Sequence, residues 1–174
     1  MEFNNILYYK ATLAFYQENY LECAQNSECP AYLLKNIYEI INPKVAASKS
    51  LYYNEDIKIL SFLLLNQNCP PEILEENFNH SLRWRRFLVA QNENCHLLPI
   101  FKELLNDKDK SVQSVALRNP RVSAEKLEEV FDKTTDIDLR ISCIRNINAS
   151  LVLIEKAKAI NDKYINGWLE KLSK

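Results

Sequence analysis

Val115-Ala-Leu-Arg-Asn-Pro-Arg-Val-Ser-Ala-Glu-Lys-Leu127 decides how this chain is read, because segments before and after it repeat its pattern. The step Asn119-x-x-Val122 recurs as Asn146-x-x-Ala149, Asn92-x-x-Cys95, Asn66-x-x-Cys69 and Asn26-x-x-Cys29. From Asn66 onward the spacings are 26, 27 and 27 residues. A fixed period of that length, one helical hairpin per unit, is the sequence mark of stacked helical repeats.

Alignment of the units on their asparagines produces apolar columns. Three residues before the Asn stand Cys23, Leu63, Val89, Ala116 and Cys143, and eight after it stand Leu34, Leu74, Ile100, Leu127 and Ile154. Twelve after it come Tyr38, Phe78, Leu104 and Phe131. The fifth unit has Lys158 there, as suits a terminal repeat that faces solvent.

The stretch Val112-Gln-Ser-Val-Ala-Leu-Arg-Asn-Pro120, followed by Ser123-Ala-Glu-Lys-Leu127 and an acidic end, resembles the variant leucine-rich repeat, within the wider class of HEAT-like α-solenoids. The resemblance covers roughly residues 54–158. It implies short helix pairs, some of them 3₁₀, coiled into a right-handed superhelix. The expected fold is all-α, an α-solenoid of about five stacked helix pairs with capping helices at both ends. As one domain over residues 1–174, it divides into an N-terminal cap (1–25), repeats (26–158, with an insertion at 42–53) and a C-terminal capping helix (159–174).

Local signals fill in this plan. Residues 2–19 read as an amphipathic helix. Asn42-Pro43 is expected to end the helix that follows Pro30, because the residue before proline avoids the α region. Helix starts are expected at Asn54, Pro70-Pro71, Ser81, Asp109, Ser123 and Ser150, and Pro99 places another near Leu97 or Leu98. Tyr164, Ile165, Trp168, Leu169 and Leu172 form the apolar side of a closing helix. The recurring Asn suits a left-handed residue after each second helix, with side chains stacked into a ladder that ties the turns together.

Gly167 is the only glycine. That removes glycine-rich phosphate loops and the nucleophile elbow, which need glycine for positive φ or close backbone approach. Met1-Glu-Phe-Asn-Asn5 has neither a basic region nor a signal-type apolar core, and the run Ile59–Leu65 is too short to span a bilayer. A soluble cytoplasmic protein is expected, and in that compartment disulfides are not.

Five cysteines raise the question of a metal or iron–sulfur site, and the variant leucine-rich repeat family includes a protein with a cysteine-bound cluster in a separate domain. The columns favour a plainer reading. Cys29, Cys69 and Cys95 share theirs with Val122 and Ala149, and Cys23 and Cys143 share theirs with Leu63, Val89 and Ala116. A slot that accepts Val or Ala treats Cys as a small hydrophobe. His80 and His96 sit near helix starts, and no Ser/His/Asp or Cys/His set can be drawn. The expectation is a non-enzyme with no catalytic residue, metal or cofactor.

Arginine carries the functional signal. Residues 1–82 hold five Lys, no Arg and ten acids, and all seven arginines fall between Arg83 and Arg145. Arg86, Gln113 and Arg140 share one column; Gln91, Arg118 and Arg145 share another. Charges repeated in register become stripes on a solenoid, the surface such proteins use to grip partners. Trp84, between Arg83 and Arg85, adds the aromatic common at binding hot spots. The partner-binding set is therefore Arg83, Trp84, Arg86, Gln113, Arg118, Arg140 and Arg145, with Lys49, Tyr52 and Tyr53 of the insertion. The partner is expected to be a protein with an acidic surface, bound by an adaptor or an inhibitor. The alternative is nucleic-acid backbone, for which residues 83–145 offer twelve Lys and Arg against ten acids, a thin surplus.

Overall fold

The structure, a computed structural model, describes residues 19–47 and 54–172, and every regular element among them is helical. Among these residues no helix is long and apolar enough to cross a membrane. The chain gathers into two compact units, Met1–Asn79 and His80–Lys174. The helix expected at residues 2–19, and Lys49, Tyr52 and Tyr53, lie outside the described residues.

The first unit contains α1 (Tyr20–Gln25), α2 (Ala31–Ala47), α3 (Glu55–Leu65) and α4 (Pro71–Asn77). Helices α1 and α2 both pack on α3 and touch each other. Asn54 caps α3 by accepting the Ile57 amide at 2.9 Å, and Pro71 opens α4. Three polar contacts fasten α4 to α2: Lys35–Glu72 at 3.3 Å, Asn42–Glu76 at 3.3 Å, and the buried Asn77 amide donating to the Tyr38 hydroxyl at 2.9 Å.

Contrary to the sequence expectation, α2 does not stop at Asn42-Pro43 but runs through Pro43 to Ala47. Ile37, Ile41 and Val45 are buried at helical spacing on one side. Pro43 and Glu39 both lie on the exposed side, where water can serve the carbonyl that the missing proline N–H leaves open. Six residues of the expected insertion, 42–47, are thus an extension of this helix.

The second unit contains α5 (Arg83–Gln91), a 3₁₀ helix (Glu93–Leu97), α6 (Phe101–Leu104), α7 (Lys110–Leu117), α8 (Ala124–Lys133), α9 (Ile137–Ile144), α10 (Leu151–Ile160) and α11 (Lys163–Leu172). Helix α5 packs on α7, α7 on α9, and α9 on α11, a row formed by every second helix. Around that row α6 touches α7, α8 touches α9, and α10 touches α8, α9 and α11. Asp109, Ser123, Asp136 and Ser150 cap α7 to α10 by accepting a backbone N–H from the first turn. Ser81 does not cap α5; Leu82 precedes it without a side-chain cap. Near Pro99 the backbone forms the 3₁₀ helix first, and the α-helix begins at Phe101, not at Leu97 or Leu98.

The column three before each Asn is fully buried, with Cys23, Leu63, Val89, Ala116 and Cys143 all at 0% exposure. Leu34, Leu74, Ile100 and Leu127 are buried as expected. The last repeat departs from the pattern. Leu153 and Ala157 are buried in α10, as Leu33 and Ile37 are at the same positions in α2, but Ile154 is only half-buried. Lys158 is exposed, as expected.

The recurring asparagines are not left-handed. Asn66 has φ −64° and ψ 133°, and Asn92 has φ −64° and ψ 126°; among the described residues only Asn161, after α10, has positive φ, at 53°. An extended backbone leaves the side chain free to bond in two directions. Its oxygen accepts the amide two residues on, at 2.8 Å in Asn66 and Asn146 and 2.9 Å in Asn92 and Asn119. Its amide group reaches the preceding turn. Asn66 donates to the carbonyls of Ala24 (2.9 Å) and Asn26 (2.8 Å), and Asn146 to those of Leu117 (2.7 Å) and Asn119 (2.8 Å). The expected ladder is present within each unit, built on a different backbone conformation.

Candidate interaction face

The two arginine columns separate in the structure. The column six before each Asn points inward. Of its first-unit members Tyr20 is half-buried and Leu60 is at 0% exposure, and Arg86 in the second unit is at 3%. Arg86 makes a two-pronged ion pair with Asp107, Nε to Oδ2 at 2.7 Å and Nη2 to Oδ1 at 3.0 Å, and Nη1 donates to the His80 carbonyl at 2.8 Å. The Asp107 hydrogen bond is the main cause that raises the Arg86 pKa, so this guanidinium is a fixed internal charge. Gln113 is half-buried and donates to the Leu105 carbonyl at 3.4 Å. Arg140 is half-buried over the Phe131 ring, 5.4 Å from its centroid. These three residues therefore do not form an exposed stripe. Arg86 and Gln113 use their polar groups inside the unit, whereas the buried Nε of Arg140 has no hydrogen-bond partner among the described residues.

The column immediately before each Asn is exposed. Gln91 ends α5, while Arg118 and Arg145 follow the last turns of α7 and α9. A cation there is favoured by the negative end of the helix dipole, and Arg118 Nε donates to the Ser114 carbonyl at 3.3 Å. Among the described residues no carboxylate pairs with Arg118 or Arg145. Burial lowers the Arg118 pKa, and the positive charge of Arg145 lowers it further. Arg145 lies over the Trp168 ring at 4.0 Å from the centroid, and Lys171 approaches the same ring at 4.3 Å. The α5–α7–α9–α11 row thus carries Gln91, Arg118, Arg145, Trp168 and Lys171 in sequence order.

Beside Arg118 a cleft of about 280 Å³ opens between α5 and α7, lined by Phe87, Ala90 and Val115, with Pro120, Gln91 and Glu93 at its edge. Arg83 is exposed and 3.7 Å from Asp109, a weak pair, while Trp84 is half-buried with the Arg85 guanidinium 5.4 Å from its ring centroid.

Sequence reasoning missed Trp168 and Lys171, because α11 lies outside the repeat period that defined the columns. It also missed the second asparagine of the ladder. Asn68 donates to Ser27 and Cys29 carbonyls, and Asn148 to those of Pro120 and Val122. The Asn-x-Asn pattern at 66/68, 92/94 and 146/148 was the available signal.

Cys23 and Cys29 form a disulfide, against the expectation of free thiols. Positions three before and three after the Asn both turn inward, and only the first repeat places a cysteine at each. Their Cα atoms are 5.7 Å apart, within the bridging range. Cys69, Cys95 and Cys143 are free and buried, and burial pushes each thiol up to about 12. Native protein should therefore resist alkylation at these three positions near pH 8, and unfolded protein should react at all three; mass spectrometry before and after urea reads this. Because each folded value lies above the ordinary 9, their stabilising contribution is intact below pH 9 and declines as pH rises toward 12. Among the described residues no three His, Cys, Asp or Glu side chains are grouped to hold a metal ion.

No family model, no curated protein and no solved structure matches this chain.

Proposed function

We propose that this chain is a non-catalytic helical-repeat scaffold, a HEAT-like or variant leucine-rich repeat solenoid, that binds an acidic protein as an adaptor or inhibitor. The repeated asparagine bonds support the solenoid: the same donor pattern, with the same pair of acceptor positions, occurs in both units. The binding reading is carried by one observation, the adjacent exposed guanidinia of Arg118 and Arg145 with no carboxylate partner among the described residues. An acidic partner would relieve their mutual repulsion. Residues that use their charge internally, Arg86 above all, drop out of the contact set.

A phosphate-tracking reading has less support. Arg86, Arg83 and Lys110 are already engaged with Asp107, Asp109 and Asp136, which thins further the small surplus of cations that could follow a nucleic-acid backbone.

The test is capture of host proteins on the immobilised full chain, with each captured protein identified and its affinity then measured with the purified pair. Substitution Arg118→Glu with Arg145→Glu should weaken that purified pair by about a hundredfold or more, since each residue contributes a charge-assisted contact. Unchanged affinity would remove this face from the function.

A further inference from the structure

Building on the proposed scaffold function, we infer that this face takes an extended acidic segment with carboxylates three residues apart and one apolar side chain at the cleft. The spacing follows from the row of helices. Packed helices lie about 8–10 Å apart, and Arg118 and Arg145 occupy the same place at the ends of adjacent α7 and α9. A polyproline-type chain has three residues per turn and rises about 3.1 Å per residue. Every third side chain therefore returns to the same side after about 9 Å, which matches one step along the row.

The direction of the segment follows from the lining. Glu93 at the edge of the α5–α7 cleft opposes a carboxylate there, whereas Phe87, Ala90, Val115 and Pro120 offer apolar contact. The apolar residue of the segment enters this cleft, and the first acid meets Arg118 at its rim. The second acid meets Arg145, whose stacking on Trp168 holds the guanidinium in one place. Lys171, 4.3 Å from the centroid of the same ring, adds a further positive charge beside it. A segment of the form apolar-x-x-acid-x-x-acid fits all of these features together.

The experiment uses the full chain and fluorescein-labelled peptides read by anisotropy. The first peptide is Leu-Pro-Ala-Glu-Pro-Ala-Glu; the second has the same composition with its glutamates adjacent; the third has Ser in place of Leu. The first should bind about tenfold or more tighter than the second, and the third should lose several-fold. Arg118→Gln and Arg145→Gln should each weaken the first peptide by about tenfold, while Arg121→Gln should leave it unchanged. Far-UV circular dichroism checks that the variants remain folded. Equal binding of the first two peptides would overturn the spacing. So would displacement of the peptide by a short duplex DNA that binds more tightly with the same arginine dependence. If no peptide binds while the captured protein still depends on Arg118 and Arg145, the segment is wrong and the scaffold stands. If neither depends on them, both fall.

Discussion

Asn146→Ala should destabilise the protein by about 2–4 kcal/mol, the loss of two buried hydrogen bonds at about 1–3 kcal/mol for each group left unserved. Asn146 is 5% exposed, and its amide group holds the carbonyls of Leu117 and Asn119 at 2.7 and 2.8 Å. Alanine supplies neither bond. The midpoint of urea unfolding should fall with little change in slope. Asn148→Ala is the internal comparison: its side chain bonds two carbonyls as well, but the residue is exposed and solvent can substitute. A loss at Asn146 within about 0.5 kcal/mol, the usual range for unremarkable surface changes, would mean that the ladder does not hold the turns together.

The second large effect is expected at Arg86. The side chains of Arg86 and Asp107 are 4% and 7% exposed, so removal of either leaves a buried charge without its counterpart. Arg86→Met and Asp107→Leu should each cost about 3–5 kcal/mol. The pair Arg86→Met with Asp107→Leu should recover much of that, because a buried ion pair is often replaceable by apolar groups of similar volume. A urea series on the three variants decides the matter. Near-additive losses in the double variant would show that the two residues act on stability by separate routes. The Arg86 pKa is raised by its Asp107 partner, so the contribution of the guanidinium charge is fully present below the ordinary guanidinium value, across the neutral range.

The period, the helix starts at Asn54, Pro71, Ser123 and Ser150, and the buried column through Leu63 and Val89 were legible because each is set by local spacing or by a cap residue. The inward position of Arg86 was legible too. It stands three residues before Val89 and in the same column as Leu60, one helical turn back along a buried side. Charge alone suggested a surface, and the column argued otherwise. Other features were set by tertiary contacts that no local rule contains. Pro43 sits inside a helix because Val45 beyond it has a core to enter. The conformation of Asn66 is chosen by the carbonyls of the previous repeat, where a left-handed residue would have bonded its own turn. In α10 Ile154 is half-buried where Leu34, Leu74 and Leu127 are buried, a difference that the aligned columns do not contain. Of the face itself, Arg118 and Arg145 could be picked out from their shared column, but Trp168 needed the return of α11 onto α9.

The grips of Asn66 and Asn146 point backward, from a later turn to the carbonyls of an earlier one, while Asn119 reaches back to the Cys95 sulfur. Assembly instructions of this kind are carried by the incoming piece, and at Asn66 and Asn146 what it docks against supplies main-chain oxygen, which any sequence provides. A 27-residue segment copied in tandem, from Pro120 to Asn146, would bring its own fastener and find the matching groove ready-made. Length in such a protein can change by whole steps without redesign of the neighbours, and growth by duplication asks little of the rest of the chain.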